Sequence, residues 1–568
     1  MAKTMKMLHL HHLMLTVWAI ACVQLLFGQA TIGTLNLTSE ANQDYVLFSP
    51  NVSENTYLID KCGRLIHQWE TEGRPGMMAY FMDNGDLLRT RVHQTGQFIG
   101  GGIGGIIEQF DWDGNLVWND TIATFSHHHH HDIAVLPNGN ILAILWEKWF
   151  AEDAIARGQL PELASEEVWV TRIVELLPLT GSGSEVVWSW SPWEHLIQDT
   201  DPALPHYGDP ADYPQRFDVN FQAISASGGA GLGQEATFDW MHVNSIHYHA
   251  ERDEIILSSR HWNEVWIVDH STTTEEAAGS SGGQHGRGGD LLWRWGNPTA
   301  YGQGSDTDQM FFGQHDAQFI TDSEGVTISV YNNGLDRPDG NYSTVHHIEV
   351  PLDATGGYPI PSNGAFEPES AAWTYPASPD YDFFSHNVSG YTRLTDGHHL
   401  ICQGAKGRFF ELDNTGSMVW EYINPITSTG PATQGNPPIQ SAVFRAVAVP
   451  PSHPGLQGRN LDPGLPLELD PLPLDCTVDV GEITTDEAIR VWPNPASKSL
   501  TISNLGLKMP TQIVIYDAQG SLHWSGSATR ETTIDIEFWS PGLYIAILHN
   551  ANPLRNTQAP TTLKLLVQ

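Results

Sequence analysis

Basic residues are scarce in this chain. Its 568 residues include 27 Lys and Arg against 66 Asp and Glu, which gives a formal net charge of −39 at pH 7. A charge of this sign and size repels phosphate backbones and anionic lipid headgroups at long range. The composition therefore argues against nucleic acid as a partner, and we interpret the acidity as a solvated surface.

Cysteine is scarce as well. Of the four cysteines, Cys22 lies in the amino-terminal leader described next, which leaves Cys62, Cys402 and Cys476. These three allow one disulfide at most, so we expect the stability of the chain to come from packing.

Long apolar runs without charges are missing after the first thirty residues. The amino terminus has Lys3 and Lys6, then an apolar run from Leu13 to Phe27, then the small and polar residues 28–30. This is the three-part layout of a secretory signal, so we predict a signal peptide over residues 1–30. No later run reaches the length of a membrane span, and we expect none in the mature chain.

What the sequence does have is a repeated phrase between about residues 50 and 450. A strand ending in Asp or Glu is followed by a Gly turn and a strand with Trp, and later by two apolar strands joined by a second Gly turn. The clearest copies of the first part are residues 107–118 and 409–422, and residues 136–142 are the clearest copy of the second Gly turn with its apolar strands. Many short alternating strands with Gly turns and Trp favour a β-propeller over a sandwich.

The composition divides the chain into segments. We predict an all-β fold with a β-propeller over residues 31–455, a Pro/Gly-rich linker over 456–488 and a small C-terminal β-sandwich over 489–568. Trp69 ends the first copy of the phrase and Trp420 lies in the last, which would let the two ends of the propeller segment complete one ring.

The C-terminal segment carries three spaced motifs: V-W-P-N-P-A at 491–496, I-Y-D-A-Q-G at 515–520 and G-L-Y at 542–544. It is similar to the C-terminal sorting domain of the type IX secretion system. The resemblance implies export through the periplasm, a secreted or cell-surface location, and the type IX secretion machinery as a partner.

Histidine is abundant, and several copies recur at one place, just before an apolar strand and its Gly turn. They are His130 and His131, His242, His315, and His386. In a propeller, equivalent positions of successive blades lie around one axis, so we expect these imidazoles to converge on one pocket. Convergent imidazoles can transfer protons, attack an electrophile or bind a transition metal.

The residues around these histidines carry a second resemblance. The segments are 238–246 (F-D-W-M-H-V-N-S-I), 312–317 (F-G-Q-H-D-A), 331–337 (Y-N-N-G-L-D-R), 383–386 (F-F-S-H) and 419–422 (V-W-E-Y). In their joint order they resemble the bacterial PAPS-independent arylsulfotransferases, which are six-bladed propellers. The resemblance implies an exported sulfotransferase that moves a sulfuryl group from an aryl sulfate ester to a phenolic acceptor through a histidine covalent intermediate, without a cofactor.

Carried over by motif, His242, His315 and Arg337 would contact the sulfuryl oxygens, with Asn244 and Asn333 as further substrate-binding residues. The family's nucleophilic histidine is expected on the strand after Gly404, where this sequence has none. Either that placement is wrong, or sulfuryl transfer is absent, or His386 supplies the nucleophile from the neighbouring strand. His386 is the substitute candidate for the nucleophile. Arg337 has a second interpretation, in which it caps the turn after Asn-Gly.

The run of five histidines at 127–131 has the composition of a metal-binding tract. We expect it instead to place His130 or His131 at the rim of the pocket as substrate-binding residues, with the others facing solvent. No metal is assigned, because no Cys or carboxylate spacing supports a dedicated site.

Two other functions stay open at this point. One is a non-catalytic propeller that binds a ligand or partner and derives from such an enzyme. The other is a hydrolase or oxidoreductase that uses a metal on the histidines.

Overall fold

The computed structural model describes residues 30–222, 238–320, 325–362 and 364–472 and, further on, 490–492, 496, 498–503, 511–517, 521–528, 531–550 and 561–567. Contacts divide the chain into two compact units, Met1–Leu474 and Asp475–Gln568. Among the described residues, no helix combines the length and the apolar character needed to cross a membrane. The predicted signal peptide precedes the described part, apart from Ala30.

Within its described residues, the first unit contains six antiparallel sheets of four or five strands. The strands of the first half are β1 (Gly33–Leu37), β2 (Tyr45–Pro50), β3 (Thr56–Ile59), β4 (Leu65–Trp69), β5 (Pro75–Phe81), β6 (Leu87–Val92), β7 (Gly105–Phe110), β8 (Leu116–Thr121), β9 (His127–Val135), β10 (Ile141–Phe150), β11 (Glu167–Pro178) and β12 (Ser184–Trp190). Those of the second half are β15 (Val243–His249), β16 (Glu254–Ser259), β17 (Glu264–Asp269), β18 (Trp293–Trp295), β19 (His315–Ile320), β20 (Val326–Asn332), β21 (Thr344–Val350), β22 (Trp373–Tyr375), β23 (Gly390–Arg393), β24 (His399–Gln403), β25 (Arg408–Leu412), β26 (Met418–Ile423) and β29 (Val443–Val449). Two minor pairs lie outside the six sheets: β13 (Leu196–Ile197) with β14 (Phe217–Asp218), and β27 (Ile426–Thr427) with β28 (Gly430–Pro431). Two short helices interrupt them, α1 (Ala151–Ala156) and α2 (Thr274–Ala277).

The sheets follow one another along the chain, except where the chain ends are shared. Their orders are β29-β2-β3-β4, then β5 to β8, β9 to β12, β15 to β18, β19 to β22, and β23 to β26 with β1 added at the β26 edge. β29 pairs with β2 and β1 pairs with β26, so early and late strands complete each other's sheets. The closure expected from Trp69 and Trp420 thus takes the form of two shared sheets.

One strand of each sheet contacts the corresponding strand of the next sheet. The contacts run from β5 to β9, β15, β19, β23 and β29, and from β29 back to β5. We call these six the inner strands. Their consecutive contacts mean that residues far apart in sequence meet along a common line.

The recurring tryptophans connect neighbouring sheets. In five sheets an indole N–H donates to a backbone carbonyl in the next sheet or its loops. The pairs are Trp69 with Asp111 (3.0 Å), Trp118 with Gly183 (3.1 Å), Trp190 with Gly289 (2.8 Å), Trp293 with Glu367 (2.8 Å) and Trp420 with Lys61 (2.6 Å). A buried indole thus contributes both apolar area and a satisfied donor. This explains why the repeated phrase ends in Trp.

The turn glycines of the phrase adopt the left-handed conformation that the hairpins need. Gly114 has φ 83° and Gly139 has φ 87°, and each N–H donates to the carbonyl three residues earlier, at Asp111 and Leu136. A side chain at either position would strain the turn.

Residues 456–472, predicted as the start of a linker, pack on the first unit. Leu456 and Leu467 are buried, Leu65 N–H donates to Leu465 O at 3.0 Å, and Leu469 N–H donates to Ala432 O at 2.9 Å. Leucines in this Pro-rich stretch cover apolar surface that would otherwise face water, so composition alone misjudged the segment.

The second unit also consists of strands where it is described. They are β30 (Arg490–Trp492), β31 (Ser499–Ser503), β32 (Thr511–Asp517), β33 (Leu522–Ala528), β34 (Glu531–Asp535), β35 (Gly542–Asn550) and β36 (Thr561–Val567). They form two sheets, β30-β31-β34 and β33-β32-β35-β36. Ile502 of the first sheet and Ile515 of the second belong to one buried apolar cluster, as in a small sandwich.

Candidate active site

Three inner strands are distorted at the point where a candidate histidine lies. The pairing of β9, β15 and β19 with their neighbours shifts register near His131, at Val243 and Ser245, and after His315. His131, His242 and Asp316 have φ of 55°, 49° and 56°. Bulges and left-handed non-glycine residues cost energy, and they re-aim side chains at functional sites. Three such distortions at equivalent places mark this end of the inner strands.

The rings of these histidines lie together. His131 packs edge-on against His242 with centroids 4.7 Å apart, and His242 stacks on His261 at 4.7 Å. Phe444, from β29, contacts the rings of both His131 and His315. The predicted convergence of His131, His242 and His315 is therefore seen in the geometry. We call this group, with His261, the axial histidines.

The tautomer of His315 follows from its neighbours. Its Nδ1 lies 2.7 Å from Asn333 Oδ1 and 3.1 Å from Gly313 O, while Asn333 Nδ2 donates to Ser385 O. Since both neighbours are acceptors, Nδ1 carries the proton and the lone pair is on Nε2. Burial, and next the charge of Arg260, lower the pKa of His315 to about 3. The ring is neutral at physiological pH, as a nucleophile or hydrogen-bond acceptor must be.

His242 is held by an acidic partner. Its Nδ1 donates to Asp239 Oδ2 at 2.8 Å, and its backbone N–H donates to Asp239 Oδ1 at 3.0 Å. Asp239 is the first residue of the D-W-M-H motif, so the spacing of three places acid and imidazole on one turn. This arrangement turns Nε2 of His242 away from the carboxylate.

A buried guanidinium lies among these imidazoles. Arg260 is 3% exposed, and its charge lowers the pKa of His131, His315 and His386, in each case after burial and, for His131, also after neighbouring imidazoles. Sequence reasoning missed Arg260. Its position in the chain was a signal, because Arg260 directly follows β16, the antiparallel partner of β15. The backbone N–H of Arg260 donates to His242 O at 3.1 Å.

His386 is half-buried, and the positive charge of Arg260 lowers its pKa, as it does for His131 and His315. Burial is the larger cause of its lowered pKa. This is consistent with the prediction that His386 lies near the others, and its role stays a prediction.

Arg337 is held within its own loop. Its Nε donates to Tyr342 O at 3.1 Å and its Nη2 to Thr344 Oγ1 at 2.7 Å, and its guanidinium lies over the Tyr342 ring at 4.4 Å. These contacts match the turn-supporting interpretation of Arg337. Its contact with a sulfuryl group stays a prediction.

The two predicted asparagines bridge inner strands. Asn333 orients His315, as described, and Asn244 Nδ2 donates to Gln314 O at 2.8 Å. Asn244 Oδ1 is buried and has no hydrogen-bond partner within the described part of the chain. Direct binding of substrate by either residue stays a prediction.

The histidine run does not face solvent as expected. His128, His129, His130 and His131 are all buried, and only His127 is substantially exposed, at 36% of its side chain. The cause is the glycine-rich segment 100–105, which runs against β9: His131 N–H donates to Gly102 O at 2.7 Å, and a Cβ on Gly102 would overlap the His131 ring. His130 stacks on Trp146 at 4.2 Å and shares a 2.8 Å contact between Nδ1 atoms with His131.

Below the histidines, three buried charges connect the inner strands. Arg445 of β29 pairs with Asp132 and with Asp316, each at 3.0 Å. Asp132 also accepts from Tyr80 OH of β5 and Ile246 N–H of β15, and Asp316 accepts from Tyr391 N–H of β23. This axial hub, Arg445 with Asp132 and Asp316, thus touches all six inner strands, and its acids directly follow His131 and His315.

Comparison with known proteins identifies the family of each part of the chain. Residues 33–432 match the family model described as arylsulfotransferase (ASST), and residues 490–558 match the model described as secretion system C-terminal sorting domain. A curated relative, arylsulfate sulfotransferase AssT of Lelliottia amnigena, is 33% identical over 171 residues, which is 28% of this chain and 26% of that protein. The match thus spans about a quarter of that relative.

Solved structures of low similarity include a protein of unknown function from Bacteroides caccae, at 10% identity and a TM-score of 0.39, covering 72% of this chain and 99% of that one. The periplasmic gluconolactonase PpgL of Pseudomonas aeruginosa gives 10% identity and a TM-score of 0.32, with 87% and 99% covered. The family match rests on the family model, which covers more than half of the chain. The chain belongs to the arylsulfotransferase (ASST) family and carries a C-terminal sorting domain of the type IX secretion system, which directs it to the cell surface or the medium.

Proposed function

We propose that the protein is an aryl-sulfate sulfotransferase built on a six-bladed β-propeller. The six sheets, the consecutive contacts of the inner strands and the Trp bridges between sheets support the blade count. The sulfuryl group of an aryl sulfate would lie among His131, His242 and His315, next to Arg260.

The observation that carries the proposal is a buried guanidinium next to His315, a neutral imidazole of defined tautomer. A transferring sulfuryl group spreads negative charge over its equatorial oxygens, and a fixed cation in a dry site stabilises that charge far better than water does. The charge of Arg260 lowers the pKa of His131, His315 and His386. Ser385, next to His386, accepts a hydrogen bond from Asn333, the partner of His315. We therefore propose that the anion lies next to Arg260, near these histidines.

The reaction would have two steps. A histidine Nε2 lone pair attacks sulfur, an N–S bond forms, the S–O bond to the aryl group breaks, and the phenolate leaves and takes a proton. The acceptor phenol then gives up its proton as its oxygen attacks sulfur, and the N–S bond breaks. His386 is the substitute candidate for the nucleophile, since the expected position after Gly404 holds no histidine. His315 meets the electronic requirement, because Asn333 and Gly313 hold its Nδ1 proton.

The test is release of 4-nitrophenol from 4-nitrophenyl sulfate with and without added phenol. We expect release by the wild type to depend on phenol, and His315→Ala and His386→Ala to lose at least about 100-fold in kcat/KM, the scale of removing one stabilising donor or more. The matched control is His93→Ala, because His93 is an exposed histidine.

Mass spectrometry after incubation with donor alone separates the two histidines. The variant that lacks the nucleophile forms no adduct of one SO₃ group on the chain, whereas a variant that lacks only a stabilising contact still forms it slowly. Equal release of 4-nitrophenol by wild type, both variants and His93→Ala would refute the proposal.

A further inference from the structure

A group of possible metal ligands lies beside the proposed sulfuryl position. One donor atom from each of Asp239, His242 and His261 can be chosen so that the three atoms all lie within 4.8 Å of one another. All three residues are buried, with 8%, 5% and 5% of their surfaces exposed. Two imidazoles and one carboxylate are ligands that Zn²⁺ and its neighbours in the first transition row prefer.

Contacts with Asp239 already hold both imidazoles in place. His242 Nδ1 donates to the Asp239 carboxylate, and His261 Nδ1 lies 2.8 Å from Asp239 O. An ion that replaces the Nδ1 proton of His242 would bind this imidazole next to the Asp239 carboxylate, since metal binding releases protons from its ligands. The rings of His242 and His261 stack with their centroids 4.7 Å apart.

The geometry needs only a small contraction. Ligands of a tetrahedral zinc ion lie about 3.4 Å apart, given bond lengths of about 2.1 Å. The His131 ring has its centroid 4.7 Å from that of His242, which is near enough to supply a fourth ligand. The charge of Asp239 offsets part of the repulsion between a dication and Arg260.

We propose that Asp239, His242 and His261 bind one divalent transition-metal ion, of which Zn²⁺ is the best match. The sequence alone assigned no metal, because no Cys or carboxylate spacing supported a dedicated site. The structure adds His261, which directly follows Arg260 at the end of β16. As a consequence that rests on the proposed function, a metal ion on His242 and a sulfuryl group at the same imidazole exclude each other, so the ion acts as an inhibitor of transfer.

The test uses full-length protein without a polyhistidine tag, stripped of metal by chelator and dialysis, and titrated with Co²⁺. We expect one Co²⁺ per chain with the intense visible absorption of four-coordinate cobalt, and its displacement by Zn²⁺. His261→Gln and Asp239→Asn should lose this absorption, while His93→Gln, a change at an exposed histidine, should keep it.

A thermal melt guards against misfolded variants. A variant that melts like the wild type without metal is correctly folded. Zn²⁺ should raise the melting temperature of the wild type but not of such a variant, since an ion that binds only the folded state stabilises it. Weak octahedral cobalt absorption, or an unchanged signal in His261→Gln, would overturn the proposal. Sulfuryl transfer by the metal-free protein is measured separately, so an inactive enzyme that binds cobalt would reject only the proposed function.

Discussion

Two buried histidines in the first unit, His315 and His270, are held in opposite charge states. Burial and Arg260 lower the pKa of His315 to about 3, and its hydrogen-bond partners are a neutral amide and a carbonyl. Burial also lowers the pKa of His270, but hydrogen bonds and charge from Asp253 at 2.6 Å and Glu175 at 3.3 Å outweigh it and raise that pKa to about 9. The difference teaches that burial does not fix the charge of an imidazole; the partner does.

The two histidines serve different ends. His270 joins β11, through Glu175, to the turn after β15, through Asp253, as a cation between two acids. His315 keeps a lone pair on Nε2 in a buried position, with the positive charge supplied by Arg260. A structural clamp benefits from a permanent charge, whereas nucleophilic or metal-binding imidazoles need its absence.

The largest expected effect concerns the hub that supports the axial group. Arg445→Met should lower the free energy of unfolding by about 3–5 kcal/mol, because Asp132 and Asp316 would stay buried without their cation. Urea unfolding at pH 7 measures it. The control is Arg408→Met, whose partly exposed pair with Glu421 should contribute less than about 1 kcal/mol. Equal losses in the two variants would mean that the hub is not needed for closing the inner strands.

A single substitution should raise the pKa of His315 toward that of His270. In Asn333→Asp a carboxylate replaces the amide beside His315 Nδ1, and an adjacent acid raises an imidazole pKa by about 1–3 units. We expect the acid limb of the kcat/KM profile to move upward by that amount, so that activity falls below about pH 6. Asn424→Asp, a buried amide that bonds Ser441 O, is the control. A profile that keeps its wild-type shape would show that His315 does not act as a neutral ring.

The smallest expected effect concerns His270 and the pH dependence of its stabilisation. The folded pKa of His270 is above its unfolded value of about 6.5, so its stabilisation is complete below pH 6.5 and is lost as pH rises through about 9. His270→Gln should therefore be less stable than wild type by about 1–3 kcal/mol near pH 6, and the gap should close by about pH 9.5. Urea midpoints across this range measure it.

The control for that pH series is His93→Gln, which should show no such trend. A gap between His270→Gln and wild type that stays constant or widens with pH would contradict a charged His270.

The fold class and the family were predictable from the sequence, because alternation, Gly turns and the recurring Trp are local signals. The meeting of His131, His242 and His315 was also predictable, since their places in the repeat are equivalent. Arg260 was not, because it lies outside the motifs and becomes relevant only through pairing of β15 with β16. The burial of His128 and His129 was misjudged, since the glycine-rich segment that covers them carries no sign of where it packs.

The sequence by itself determined an exported all-β chain of the arylsulfotransferase family with a sorting domain, because the repeats and the sorting motifs are patterns of residues close together in the chain. Only the tertiary structure decided which nitrogen of His315 holds the proton, which arginine lies beside the imidazoles, and that Arg445 pairs with Asp132, 313 residues earlier. Protonation and ion pairing depend on dielectric and on atoms a few ångströms away, and sequence distance carries no information about either.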